Sequence, residues 1–257
     1  ALAGVPAASM LFTGCSKKAE SKVPDKLIVG TNAEFPPFEY MNDKKQPEGF
    51  DIAMIKEIGK RMGKKVEIKN MEFKSLIGAM ESDSINAIIA GMTKTEKREK
   101  AVDFSDSYYT TNQAIILKKD SKITKLAQLD GKKIGVQEGT TGDLISSGDK
   151  FGDGKKAKVL VKGAKVKRFK KGVDAVMDLK NGSVDAVVID ELTANEFVKK
   201  NAKKLKIVID SAGSEYYCIA LTKGNTAYKE EVNKQIKAIK EDGTYDKLKA
   251  KYIDSKN

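Results

Sequence analysis

The sequence predicts an α/β protein made of two lobes of like topology, and three observations carry that reading. Apolar runs of strand length alternate with stretches of helical period from Lys26 onward, the pattern of a largely parallel sheet flanked by helices. The motif "SINAIIAG" (Ser84 to Gly91) returns as "SVDAVVID" (Ser183 to Asp190), each time behind a short helical segment. The 257 residues suit one large domain or two of roughly 100–130 residues.

Taken in order, "KLIVGT" (Lys26 to Thr31) reads as a buried strand. "GFDIAMIKEIGKRMGKK" then places Ile55, Ile58 and Met62 at helical spacing. "VEIKN" alternates as a half-buried strand, "SLIGAMESDS" is a short helix, and "INAIIAG" is a buried strand. The second half repeats the plan. "KKIGVQ" is a strand, "TGDLISSG" a helix start, "DAVMDLKNG" a helix with a glycine stop, "SVDAVVID" a strand and "ELTANEFVKKN" a helix. The Lys/Gly-rich stretch between them reads as surface loop plus a strand. Gly91 and Asp190 thereby fall at equivalent strand ends, where open α/β sheets bind ligands.

Composition excludes several chemistries. Histidine is absent, which removes His-based acid–base catalysis, the Ser-His-Asp triad and His-ligated zinc. No metal site and no cofactor are expected. The net charge is +12, but the lysines are spread along the chain without aromatic interleaving or zinc-finger spacing, so no nucleic-acid partner is expected. Of the two cysteines, Cys218 in "EYYCIAL" reads as a small core residue. Cys15 ends the apolar stretch "ALAGVPAASMLFTGC", too short to span a membrane and suited to a secretory signal. Its Gly14-Cys15 ending resembles a bacterial lipobox, which implies acylation of Cys15 and anchoring to a membrane.

One arginine stands apart. Arg98 follows "AIIAG" in "GMTKTEKREKAVDFSDSYY", with Thr95 as a helix N-cap. Gly91, Met92 and Thr93 then form a strand-to-helix corner whose backbone N–H groups, with the Thr93 hydroxyl and the Arg98 guanidinium, suit a carboxylate. A surface arginine paired with Glu99 or Asp103 explains the same spacing equally well. Asp190 is either a carboxylate for an ammonium group or simply the N-cap of the next helix. "QEGTTGD" (Gln137 to Asp143), which contains Thr140 and Thr141, is a second amide-rich turn. "NAEFPPFEY" (Asn32 to Tyr40) carries Phe35, and Phe73 stands in "NMEFKSL"; single aromatics of this kind are more often core.

The ordered blocks "GTNAEFPPFEY", "GFDIAMIKEIG", "AIIAGMTKTEKREKAVDFSDSYY", "GVQEGTTGD", "DAVVIDE" and "EDGTYDKLKAKY" resemble the bacterial extracellular solute-binding proteins of family 3, the polar amino-acid receptors of ABC importers. The likeness covers Leu27 to Ile253. It implies the two-lobed periplasmic-binding-protein-like fold of type II, each lobe a mixed, mostly parallel sheet flanked by helices, joined by a two-strand hinge. The parts would be a signal remnant (1–14), a polar tether (15–25), lobe 1 (26–111 and 216–257) and lobe 2 (112–215).

By the same resemblance Arg98 binds a ligand carboxylate with Thr93 and Thr141, while Asp190 and the Gly91 carbonyl take the ammonium. Phe35 and Phe73 wall a side-chain pocket lined by Asn32 and Gln137, with Met92 and Thr140 beside it. The implied protein is a monomer with a free L-α-amino acid as ligand and a membrane permease as partner, held outside the cytoplasmic membrane or in the periplasm. Three departures stand out: Ala53 where the family often has an acid, Asn86 for a common aspartate, and Asn32 where relatives taking basic ligands often have aspartate. The last argues for a neutral polar side chain on the ligand, although Glu34 and Glu138 keep a basic one open. The rival from another class is a dehydratase of cyclic amino-acid precursors on the same fold, using Glu34, Glu138 or Asp190 as its acid.

Overall fold

The computed structural model describes residues 21–254, so the Cys15 expectation lies outside the described residues. Strand β1 (Lys26–Thr31) leads through β2 (Glu34–Phe35), β3 (Glu39–Met41) and β4 (Pro47–Glu48) into α1 (Phe50–Met62) and β5 (Lys65–Asn70). Helix α2 (Leu76–Glu81), β6 (Ala87–Ile88) and the single turn α3 (Glu96–Glu99) then precede the long β7 (Val102–Lys118). The second series is β8 (Lys133–Gln137), α4 (Thr141–Ser146), β9 (Lys150–Phe151), β10 (Lys158–Val159) and β11 (Lys165–Phe169), then α5 (Gly172–Asn181), β12 (Ala186–Asp190) and α6 (Glu191–Lys199). A second long strand, β13 (Leu205–Thr222), leads to α7 (Thr226–Glu241) and α8 (Thr244–Tyr252).

Local chemistry accounts for these boundaries. Helix α1 buries Met54, Ile55 and Ile58 on one face and ends at Gly63 (φ 66°), whose N–H reaches the carbonyls of Gly59 and Lys60. Helix α5 stops in the same way at Gly182 (φ 80°). Only Ala87–Ile88 of the expected "INAIIAG" strand pairs as a strand, because the chain then peels away to make the Gly91 corner.

Eight strands form one mixed sheet in the order β11-β8-β12-β7-β13-β6-β1-β5. Strand β1 runs parallel to β5 and β6, and β8 runs parallel to β11 and β12. The long strands β7 and β13 lie antiparallel between these sets, β7 against β12 and β13 against β6. The sequence echo is therefore a structural one. Asn86 accepts a bond from Ile28 N–H at 2.9 Å and donates to Lys26 O at 2.9 Å, tying β6 to the start of β1. Asp185 accepts from Lys133 N–H at 2.9 Å, tying β12 to β8. Asn86 thus serves the frame of the first half.

Where the chain passes between the halves, β7 and β13 cross together. Thr111 lies opposite Glu215, and the register slips between Asp210 and Glu215, a bulge at the crossing point. Cys218 is buried among apolar neighbours on β13, as expected.

Candidate ligand-binding site

The corner after β6 is built around Gly91. Its φ of 51° lies in the left-handed region, and a Cβ there would meet the Phe35 ring at 3.2 Å, so both backbone and space call for glycine. Its N–H is not free as expected: it donates to Asp51 Oδ2 at 2.7 Å. Behind it, Asp51 and Glu39 form a fully buried carboxyl pair. Burial first, and then Asp51, push the Glu39 carboxyl well above the usual carboxylate range. The Met92 carbonyl accepts from Cys218 N–H at 3.0 Å, and its side chain packs in the core, away from the cavity.

Thr95 caps α3 as predicted, its Oγ1 accepting from Arg98 N–H at 3.2 Å. Arg98 is 6% exposed. It is not a surface ion pair, because Glu99 pairs with Lys94 and Asp103 with Lys223. Instead its guanidinium donates to Thr93 O at 2.6 Å and to Gly139 O at 3.0 Å, joining the two halves, and lies 5.4 Å from the centre of the Phe73 ring. Burial lowers its pKa to about 10, against the pull of Glu215 and Asp190, so it stays charged at neutral pH.

Asp190 stands at the N-cap position of α6 but makes no capping bond. Its carboxylate accepts from Gln113 Nε2 at 3.0 Å and from the Tyr217 hydroxyl. Burial, followed by the neighbouring Glu215, raises its pKa well above the ordinary range. Thr140 does cap: its Oγ1 accepts from Asp143 N–H at 3.3 Å and donates to Gln137 O at 2.7 Å. Gln137 in turn donates to Asn32 Oδ1 at 2.8 Å, while Asn32 donates to Met71 O at 2.8 Å.

These groups enclose one small cavity. Phe35, Phe73, Ala90, Gly91, Arg98, Gln137, Thr140, Thr141 and Asp190 wall it, and the centre of a water-sized sphere can move through only about 10 Å³ of it. Asn32 and Thr93 do not line it but bond to residues that do, Asn32 to Gln137 and Thr93 to Arg98, and Thr93 lines a separate open groove. Sequence reasoning missed Glu215, which is 2% exposed. Its carboxylate accepts from the Thr141 hydroxyl at 2.7 Å, from the Thr93 hydroxyl and from Gln113 Nε2. Burial raises its pKa, while these bonds and Arg98 hold it down. The available signal was the period-two pattern of β13, which puts Glu215 on the same face as Tyr217.

Three exposed ion pairs cross the rim: Lys74–Glu138 at 2.9 Å, Lys170–Glu72 at 2.8 Å and Lys171–Glu34 at 3.1 Å. Glu34 and Glu138 are thus engaged by lysines at the edge.

With this geometry in hand, the sequence profile of the bacterial extracellular solute-binding proteins, family 3, matches residues 27–255. The chain belongs to that family. It is 34% identical to the arginine-binding extracellular protein ArtP of Bacillus subtilis (strain 168), covering 93% of this chain and 91% of that one. It is 33% identical to the ABC transporter arginine-binding protein 1 of Escherichia coli (strain K12), covering 87% and 89%. Among solved structures, an ancestral arginine-binding protein bound to glutamine superposes with a TM-score of 0.78 at 41% identity, covering 90% and 99%. These family-3 relatives are binding proteins rather than enzymes. The fold is the two-lobed one the resemblance implied, and no helix among the described residues is long and apolar enough to cross a membrane.

Proposed function

We propose that the chain captures a free L-α-amino acid with a polar side chain between its lobes and hands it to an ABC permease. The observation that carries this is that Arg98 from α3 and Asp190 from the end of β12 both line a single small cavity. A buried cation and a buried carboxyl, which an ammonium partner draws to its ionised form, match the two ends of a zwitterion, and such charges need partners once water is excluded. In this reading Arg98, Thr93 and Thr141 hold the carboxylate, and Asp190 and the Gly91 carbonyl hold the ammonium. Phe35 and Phe73 grip the side chain, with Asn32 and Gln137 at its polar end.

Lobe 1 is 26–111 with 216–257 and lobe 2 is 112–215, so β7 and β13 form the hinge. The cavity is too small for an amino acid to enter as it stands. Ligand therefore enters when the lobes part, and contact with both lobes shifts the population toward the closed form. Cys15 acylation would tether a monomer outside the membrane, beside its permease. The dehydratase reading is weaker, because Glu34 and Glu138 are held by rim lysines and Asp190 by Tyr217 and Gln113.

The test is a thermal-shift panel of the twenty amino acids on stripped, refolded protein, with L-arginine and L-glutamine first. A ligand at about 100 times its Kd adds about 2.7 kcal/mol, several degrees in Tm. A shift with at least one polar amino acid is expected; no shift across the panel would overturn the reading.

A further inference from the structure

Glu215 has no part in the zwitterion scheme, yet it holds that scheme's donors. Its Oε2 accepts from Thr93 of the first half and Thr141 of the second, the two hydroxyls assigned to the ligand carboxylate. The other oxygen takes Gln113 Nε2, which also serves Asp190. One glutamate thus reproduces the pattern an incoming carboxylate would make: an anion bonded to both halves beside Arg98. Its position explains how. The slip in register just before Glu215 ends the slack at the crossing and returns the side chain to the inner face of β13. Glu215 also lines a separate open groove of about 680 Å³, whose wall mixes Lys94, Lys97, Lys100 and Lys150 with Glu96, Glu99, Asp149 and Asp153, so a displaced carboxylate has a wet, polar place to go.

We propose that Glu215 is an internal competitor for the carboxylate subsite, which a ligand's α-carboxylate must displace, so that this residue sets both affinity and its dependence on pH. The inference rests on the carboxylate role given above to Thr93, Thr141 and Arg98. Two carboxylates cannot share two hydroxyls and one guanidinium without like-charge repulsion. Competition is therefore strongest while Glu215 is ionised and fades when it is protonated. The titratable and charged groups facing Glu215 are Arg98 from α3, Asp190 from the end of β12 and Tyr217 from β13 itself, with Lys94, Lys97, Lys100, Lys150, Glu96, Glu99, Asp149 and Asp153 around the groove. Protonation of Asp190, whose pKa is also raised, weakens ammonium binding as pH falls. Because Glu215 also raises the Asp190 pKa, the informative quantity is the ratio of Kd values between wild type and Glu215→Gln, set against the same ratio for the des-amino analogue, which makes no use of Asp190.

The experiment is isothermal titration of L-arginine, L-glutamine and their des-amino analogues into wild type, Glu215→Gln and Glu215→Asp across about pH 5 to 8. Whichever of the two amino acids wild type binds should bind Glu215→Gln about tenfold more tightly at the alkaline end, a typical coupling between two sites. The ratio should fall as pH is lowered, because burial raises the Glu215 pKa. Glu215→Asp keeps the charge but is one methylene short of the two hydroxyls that meet at Oε2, and should lie between; it carries the test if the glutamine variant does not fold. Equal or weaker binding by the variants, or a ratio that ignores pH, overturns the competitor role and leaves the amino-acid reading intact. No binding of either amino acid by wild type or variants overturns the carboxylate assignment and this inference with it.

Discussion

After β6 the chain turns at Gly91 and folds a one-turn helix that brings Arg98 back over the strand end, whereas β12 runs straight through Asp190 into α6. The two places share a frame, since Asn86 and Asp185 make matching ties to the central strand beside them. They differ in what stands behind the charge. Arg98 is braced by two carbonyls and an aromatic face. Asp190 is braced by hydrogen-bond donors from the long strands, Gln113 of β7 and Tyr217 of β13. A repeated scaffold can therefore present opposite charges to one space, provided each charge receives its own set of supports.

The largest effect should come from breaking the cationic side. Arg98→Ala is expected to cost about 2–5 kcal/mol of ligand affinity by calorimetry, roughly thirty-fold to several thousand-fold. Unchanged affinity would remove Arg98 from the site. On the anionic side, Asp190→Asn keeps the shape and one acceptor, so a loss of about 1.5–3 kcal/mol is expected. It should weaken amino acids more than their des-amino analogues, and equal weakening would contradict the ammonium role.

The shared frame can be probed without touching ligand contacts. Asn86→Ala removes two bonds to the backbone and should lower stability by about 1–2 kcal/mol, a few degrees in Tm. Asp185→Ala removes one exposed bond and should cost less. If Asp185→Ala proves the more damaging, the two ties are not equivalent parts.

The smallest effect concerns the buried pair behind Gly91. The Glu39 pKa is raised first by burial, then by Asp51 and, to a smaller extent, by Asp190. A carboxyl raised in the folded protein binds its proton more tightly there than when unfolded. Its contribution is full at pH below the ordinary carboxylate range and is lost as pH climbs through the raised value. Glu39→Gln has no such proton to lose. Its Tm should gain on wild type over that window, by about 1 kcal/mol or two to four degrees at the top of it. A constant difference across pH would show that the pair does not titrate there.

Much of the fold was legible because the signals were local. The strand at Lys26, the period of α1, the glycine stop of α5 and the Thr95 cap all depend on residues a few places apart. The paired charges were legible too, though Arg98 and Asp190 each had a plausible surface or capping role that only tertiary contacts could exclude. Glu215, Gln113 and the Asp51–Glu39 pair were not singled out, because their meaning is long-range. Each lies in an ordinary strand or helix sequence, and its partners are dozens of residues away. The hinge bulge that brings Glu215 to Thr93 and Thr141 has no spacing signature of its own.

The opposed positions of Thr111 and Glu215 have one more consequence. The segment between them leaves and rejoins the chain at neighbouring points, so its two ends nearly touch. A gene can exchange such a segment as a cassette through two short junctions, with the apolar contacts that the two parts share refitted at the seam. Recombination between relatives could then graft one receptor's upper jaw onto another's lower jaw, and new tastes for ligand could arise by shuffling before any point mutation refines them.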